Sequence, residues 1–122
     1  MRIIICGSRD WIDGDAIRAA LISLRKQHPD AVVVHGAARG ADSLADRIAR
    51  NLGFRVEAHP ADWTGRGRAA GPERNQLMLK LGADQVLAFK DDFDPTLSRG
   101  GTEHMVRIAR DAGVPTWIRS HD

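Results

Sequence analysis

The chain has 122 residues, of which 43% are hydrophobic and 28% charged, a length and balance that predict one folded domain and exclude a disordered chain. Its formal net charge of +2 and its 5% of aromatic residues are too low to favour sequence-independent binding to nucleic acid. The single cysteine, Cys6, excludes an internal disulfide and a cysteine-rich zinc site, and the short apolar runs exclude a membrane span or a signal peptide.

Short apolar runs alternate with stretches in which apolar residues recur at helical spacing. The predicted elements in chain order are a strand at 2–6, a helix at 15–28, a strand at 31–35, a helix at 41–51, a strand at 54–58, a helix at 73–81, a strand at 85–89, a helix at 102–112 and a strand at 114–118. Pro29 ends the first helix, and Gly53, Gly82 and Gly113 follow the others.

This alternation predicts an α/β fold with a doubly wound, Rossmann-like parallel sheet of five strands. By analogy with other folds of this type, the expected strand order is 3-2-1-4-5. Ligands of such sheets bind beyond the carboxyl ends of the strands, where the strand order reverses. That rule selects the loops after the first, second and fourth strands.

The first two loops carry glycine beside polar residues. Gly7 permits a sharp turn after the first strand, while Ser8 and Arg9 offer a hydroxyl and a guanidinium to an anion. A turn glycine followed by solvated polar residues explains the same pattern. In the second loop, Gly36 and Gly40 bracket a turn that opens a helix, a place where backbone N–H groups favour phosphate.

The second loop has simpler interpretations too. Arg39 is either a ligand contact or a solvated surface residue, and Asp42 or Ser43 is expected to cap the following helix. The spacing is not the dinucleotide fingerprint, and the chain contains neither a P-loop nor a nucleophile elbow. These absences argue against an NTPase and a serine hydrolase, and we expect no cofactor and no metal.

The third loop ends in Ser98 and Arg99 followed by Gly100, Gly101 and Thr102, directly before a helix. Two glycines and a hydroxyl residue make a cradle for an anion, and Thr102 is equally an ordinary N-cap. The acidic residues at 91, 92 and 94 lack the spacing of a calcium loop, so a solvated loop is the preferred interpretation.

A long irregular connection is expected from His59 to Asn75. Trp63 within it either covers a ligand's ring or packs on the domain. Arg74 and Asn75 are expected in the first turn of a helix, where an arginine opposes the helix dipole. Either an anionic ligand or a salt bridge to Glu73 or Asp62 would explain that placement of Arg74.

Several motifs in this order resemble the YspA/cpYpsA-related branch of the SLOG superfamily. They are Gly7-Ser8-Arg9-x-Trp11, the segment 35–42, Pro60-Ala61-Asp62-Trp63, Ala70-Gly71-Pro72-x-Arg74-Asn75-x-x-Met78 and Gly101-Thr102. The resemblance extends over essentially the whole chain and implies one Rossmann-like domain, 1–122, that binds a nucleotide or a nucleotide derivative. The superfamily includes the LOG-type phosphoribohydrolases, formerly called lysine decarboxylases, and the DNA-processing protein DprA.

The LOG resemblance carries over only in part. The LOG arginine corresponds to Arg74 and the LOG Gly-Thr pair to Gly101 and Thr102, whereas the LOG glutamate position holds Met105. Glu103 is near but projects from a different side of the helix. Because a carboxylate stabilises the oxocarbenium character of N-glycosidic cleavage, hydrolysis would need Glu73, Glu103 or Asp42 close to Arg74.

Three functions follow from these observations. The first is binding of a phosphorylated nucleotide or nucleotide-derived molecule, as a sensor or signalling module. Its expected contacts are Gly7, Ser8, Arg9, Gly36, Arg39, Gly40, Arg74, Asn75, Gly100, Gly101 and Thr102. The second is a phosphoribohydrolase acting on nucleoside 5′-monophosphates, with Arg74 and, as a weaker candidate, Glu103 as catalytic residues. The third is a DprA-like role with nucleic acid.

Composition also sets the expected partners and location of the protein. Low charge and few aromatics lead us not to expect nucleic acid as a partner, and no membrane partner is expected. The resemblance implies self-association as a homo-oligomer. A reducing, cytoplasmic location is expected.

Overall fold

One parallel sheet forms the centre of a computed structural model that describes residues 1–97 and 100–121. Its strands are β1 Arg2–Gly7, β2 Val32–His35, β3 Arg55–Ala58, β4 Gln85–Phe89 and β5 Thr116–Arg119. The order is β3-β2-β1-β4-β5 with every neighbouring pair parallel, which confirms the predicted topology. The order reverses at β1, so the loops after β1, β2 and β4 share one edge of the sheet.

Helices cover both faces of the sheet. They are α1 Gly14–Gln27, α2 Ala41–Asn51, α3 Trp63–Arg66, α4 Ala70–Lys80 and α5 Gly101–Asp111. Ile3 and Ile5 point to the face covered by α1 and α2, while Ile4 between them packs with Met78 of α4 and Met105 of α5. All three isoleucines are fully buried, as expected for a strand covered on both sides. None of the helices in the described part of the chain has the length and apolar content needed to cross a membrane.

The connection between β3 and α4 is more ordered than the sequence pattern predicts. The expected irregular stretch contains α3 and a 3-10 turn at Gly67–Ala69, and α4 begins at Ala70 rather than at residue 73. The cause is local, since the carboxylate of Asp62 accepts a hydrogen bond from the Gly65 amide at 2.9 Å and caps α3. Arg74 therefore lies in the second turn of α4, and the predicted conflict with the helix dipole does not arise.

Candidate functional site

Loop 1, residues 7–13, is held between β4 and α2. The Ser8 amide donates to the carbonyl oxygen of Phe89 at 2.9 Å, and the Ala41 amide donates to the Ser8 carbonyl oxygen at 3.1 Å. A Cβ atom on Gly7 would collide with the Phe89 carbonyl oxygen and would lie 2.7 Å from the Ala41 Cβ. Glycine is required at position 7 because strand and helix backbones approach so closely there.

The three loops and the segment 63–78 line a cavity of about 820 Å³ at this edge of the sheet. Its lining residues are Cys6, Gly7, Ser8, Arg9, Gly36, Ala38, Asp42, Trp63, Arg68, Gly71, Pro72, Arg74, Asn75, Met78, Lys90, Gly100, Gly101, Thr102 and His104. The volume is within the range of cavities that hold small ligands. The predicted ligand contacts all line the cavity except Arg39 and Gly40, while Ser98 and Arg99 lie outside the described residues.

Arg39 and Gly40 have other positions. Arg39 is exposed, which fits the solvated interpretation. Gly40 has a φ of +77°, and a Cβ atom there would lie 2.5 Å from the carbonyl carbon of Arg9. Gly40 therefore lets α2 begin in close contact with loop 1.

Arg74 reaches from α4 into the second loop. Its guanidinium donates to the carbonyl oxygen of Gly36, to the side-chain oxygen of Asn75 at 2.9 Å and, more weakly, to the His59 carbonyl oxygen at 3.5 Å. Burial lowers the pKa of Arg74, Asp42 acts in the opposite direction, and nearby Arg9 lowers it further. A guanidinium that is partly removed from water and lies close to a second positive charge attracts an anion.

Of the two explanations offered for the placement of Arg74, the salt bridge to Glu73 or Asp62 is not formed. The Glu73 carboxylate pairs with Arg66 at 2.6 Å, and the Asp62 carboxylate caps α3. Within the described part of the chain, the acceptors of the Arg74 guanidinium are two carbonyl oxygens and an amide oxygen, not a carboxylate.

Asn75 ties α4 to the beginning of α5. Its buried side-chain amide donates to the Gly101 carbonyl oxygen and to Nδ1 of His104, both at 3.1 Å. Nδ1 of His104 is therefore an acceptor, and the ring proton of the neutral imidazole resides on Nε2. Burial, followed by the charge of Arg107, lowers the pKa of His104 and favours this neutral form.

The N-terminus of α5 opens onto the cavity. Gly100, with a φ of +107°, is the N-cap, so the predicted capping role of Thr102 is wrong, and Thr102 is instead a buried residue of the first turn. The first backbone N–H groups of a helix have no partners within the helix, and they favour a negative charge. Gly100, Gly101 and Thr102 bring these donors to the cavity that Arg74 also lines.

Asp42 organises the second loop rather than capping α2. The residue is 5% exposed, and its Oδ2 accepts hydrogen bonds from the amides of Gly36 at 3.1 Å and Ala38 at 3.3 Å. Burial raises the pKa of this carboxyl. The hydroxyl of Ser43 donates to the Ala38 carbonyl oxygen at 2.8 Å, and Gly40 is the N-cap, so the prediction that Asp42 or Ser43 caps α2 is wrong.

The other candidate carboxylates are engaged elsewhere. Glu103 is 1% exposed and accepts from Nζ of Lys90 at 2.7 and 3.0 Å and from the Asp94 amide at 3.2 Å. It fastens the loop after β4 onto α5 and is not among the residues that line the cavity. Met105, at the LOG glutamate position, is fully buried in the core.

An aromatic ring stands at the mouth of the cavity. Trp63 is 49% exposed, and its ring tip lies 3.0 Å from where a Cβ of Gly71 would be. The Arg9 guanidinium carbon lies 5.8 Å from the centre of this ring, and Arg68 also lines the cavity. Sequence analysis singled out Arg9 and Trp63 separately, but local patterns gave no signal that these residues, far apart in the chain, lie together.

The chain resembles known proteins in both sequence and fold. The model of the YspA, cpYpsA-related SLOG family matches residues 1–65, more than half of the chain. The chain belongs to this family. Gene 61 protein of Mycobacterium phage D29 is 45% identical to this SLOG-family chain over 120 residues, which cover 93% of the chain and 92% of that protein.

Solved structures of two DNA-processing proteins share the fold. DprA of Streptococcus pneumoniae has a TM-score of 0.72 at 17% identity and covers 96% of this SLOG-family chain. DprA of Helicobacter pylori, described for its single-stranded DNA binding mode, has a TM-score of 0.65 at 16% identity and covers 97%. At these low identities the likeness shows the fold alone, and the chain spans only 49% and 64% of those two proteins.

These neighbours correct one expectation from composition. We did not expect nucleic acid as a partner, because the net charge is low and aromatics are few. That inference is wrong, since the Helicobacter pylori protein, which has the same fold over nearly all of this chain, binds single-stranded DNA. Overall composition does not exclude nucleic acid when a few cations and one ring can be concentrated at a single edge of the fold.

Proposed function

We propose that this SLOG-family protein binds a phosphorylated nucleotide or nucleotide-derived ligand in the cavity at the carboxyl edge of its sheet. The observation that carries the proposal is that Arg74, the N-terminus of α5 and the half-exposed ring of Trp63 all line one cavity. The first two attract an anion, and the third offers a flat surface to a base.

The phosphate is assigned to the inner part of the cavity. The backbone amides at Gly101 and Thr102 donate to its oxygens, and Arg74 neutralises its charge from α4. Arg74 is already oriented by the Gly36 carbonyl oxygen and Asn75, so little side-chain entropy is lost when the anion binds.

The base is assigned to the mouth of the cavity. Trp63 is held over Gly71 and keeps half of its surface accessible. Arg9 flanks the same ring and can contact either the base or a second phosphate. Stacking on one aromatic ring tolerates different bases, so this part of the site does not by itself select one base.

Calorimetric titration with nucleoside monophosphates, ADP-ribose, NAD and cyclic nucleotides tests the proposal. A ligand at a hundred times its Kd should stabilise the fold by about 2.7 kcal/mol, which a thermal-shift assay detects. Arg74→Ala should weaken binding at least about tenfold, because it removes a charge-assisted hydrogen bond. Arg18→Ala, which removes an exposed arginine of α1 away from the cavity, is the matched control and should change nothing.

Single-stranded DNA is a second candidate ligand, favoured by the fold neighbour from Helicobacter pylori. The exposed ring of Trp63 beside Arg9 and Arg68 provides the combination of stacking and positive charge that single strands require. Fluorescence anisotropy with a labelled oligonucleotide at physiological salt tests it. Saturable binding that Trp63→Ala weakens would support this candidate, whereas the absence of binding would reject it.

A further inference from the structure

Asp42 is the only acidic residue among those that line the cavity in the described part of the chain. The other charged lining residues are the cations Arg9, Arg68, Arg74 and Lys90. Lys90 is engaged by Glu103, whereas Arg74 lies near enough to Asp42 for the carboxylate to act on its pKa. A carboxylate placed within an anion-binding cavity would repel the ligand unless it has a specific partner on that ligand.

The two oxygens of Asp42 have different environments. Oδ2 accepts from the amides of Gly36 and Ala38 and fixes the second loop. Over residues 1–97 and 100–121, the hydrogen bonds of the Asp42 carboxylate all go to Oδ2, and no fully buried side-chain oxygen lacks a partner. Oδ1 therefore accepts no hydrogen bond from the described residues, and Asp42 is one of the residues that line the cavity.

An accessible carboxylate oxygen in a largely buried residue is a strong acceptor that is short of donors. A phosphate cannot satisfy it, because both groups are anionic. A sugar hydroxyl can, since it donates a hydrogen bond and carries no charge. A nucleotide brings its phosphate and its ribose hydroxyls together, so it can satisfy Arg74 and Asp42 at the same time.

We infer that Asp42 recognises a ribose hydroxyl, so that the cavity prefers ribonucleotides over deoxyribonucleotides. This inference rests on the proposed binding of a nucleotide and adds the class of sugar that is bound. The carboxylate acts through Oδ1, while Oδ2 continues to hold the second loop in position. The inference is independent of the base and of the number of phosphates.

The first measurement uses the wild-type protein and compares ligands that differ only in the sugar. The nucleoside 5′-monophosphate that binds best in the titrations above is measured against its 2′-deoxy and 3′-deoxy forms. The measurements are made at about pH 8, well above the ordinary pKa of aspartate, because burial raises the pKa of Asp42. Loss of a hydrogen bond to a charged group should weaken binding of at least one deoxy form about tenfold to a hundredfold.

Asp42→Asn assigns that preference to the carboxylate. The amide keeps one oxygen for the backbone donors of Gly36 and Ala38 but replaces the other oxygen with a donor. The ratio of the affinities for the ribose and deoxy forms should fall close to one in this variant, whatever change in overall affinity the loss of the negative charge causes. A preference of unchanged size in this variant would overturn the assignment to Asp42.

Equal affinity of the wild-type protein for all three sugars would overturn the ribose inference and leave nucleotide binding intact. Binding of none of them at millimolar concentration would overturn the proposed function itself. The ligand comparison needs no variant, so a folding defect in Asp42→Asn would not prevent a decision.

Discussion

The guanidinium of Arg74 occupies the space beside the α-carbon of Gly36 and donates to that residue's carbonyl oxygen. A Cβ atom at position 36 would overlap the guanidinium. Because Gly36 has no side chain, it leaves room for the guanidinium of Arg74, which reaches this loop from α4. This contact joins two of the cavity walls and fixes the cation that the proposed phosphate would meet.

Gly36→Ala should lower the affinity for the nucleotide and leave the stability of the fold nearly unchanged. The methyl group meets the end of a flexible side chain, so Arg74 can move away and the backbone need not shift. We expect nucleotide affinity to fall about tenfold, as for loss of a charged hydrogen bond, with little change in melting temperature. Titration calorimetry and thermal denaturation measure the two effects. Unchanged affinity would show that the position of Arg74 does not matter for binding.

Gly7→Ala, by contrast, should mainly lower the stability of the fold. The new methyl group meets the backbone oxygen of Phe89 and the Cβ of Ala41, and neither can move without displacing β4 or α2. Overpacking of this kind costs about 1–3 kcal/mol, and a clash with backbone belongs at the upper end of that range. Urea denaturation measures it. A variant as stable as the wild type would contradict the close approach of β4 and α2 to loop 1.

Glu103→Gln should destabilise the protein without removing a ligand contact. Both oxygens of the buried carboxylate face Nζ of Lys90, and the change leaves that ammonium without its countercharge. Breaking a buried pair from one side costs about 3 kcal/mol. The control is Glu73→Gln, which breaks the exposed pair with Arg66 and should change stability little. Similar losses in the two variants would contradict the difference in burial.

His121 forms a pH-dependent contact between loop 1 and the residues after β4. Its Nε2 lies 2.7 Å from an Asp13 oxygen, its Nδ1 lies 2.8 Å from an Asp91 oxygen, and its ring stacks on Trp11 with the ring centres 4.7 Å apart. Hydrogen bonds to Asp13 and then Asp91 raise the pKa of His121. The hydrogen bond from His121 lowers the pKa of Asp13, and the backbone amide of His121 lowers that of Asp91.

The raised pKa of His121 and the lowered pKa values of Asp13 and Asp91 make stability depend on pH in opposite directions. The histidine contribution to stability is fully present below the unfolded pKa of His121 and is lost as pH rises through its raised folded pKa. The carboxylate contributions are lost as pH falls through the lowered pKa values of Asp13 and Asp91. NMR titration should place the pKa of His121 above about 6.5, and His121→Gln should remove this part of the pH dependence of the melting temperature. A pKa at or below the ordinary value would contradict the contact.

The fold follows from patterns that are local in sequence. The run at Ile3–Ile5 and the helices between successive strands were sufficient to predict a parallel sheet. The strand order came from analogy with other folds of this type, and the rule that ligands bind where the order reverses selected the edge that carries the cavity. The pairs that shape the site join distant positions, such as Arg74 with Gly36 and Lys90 with Glu103. No spacing rule connects such residues, which is why the sequence favoured a capping role for Asp42 and left the partner of Arg74 open between an anionic ligand and a carboxylate.

The most direct measurement is a crystal structure of the protein soaked with a nucleoside monophosphate. We predict electron density for the phosphate within hydrogen-bonding distance of the Arg74 guanidinium and of the first backbone amides of α5. Density for the ligand at another surface, or a cavity that remains without ligand at millimolar concentration, would contradict it.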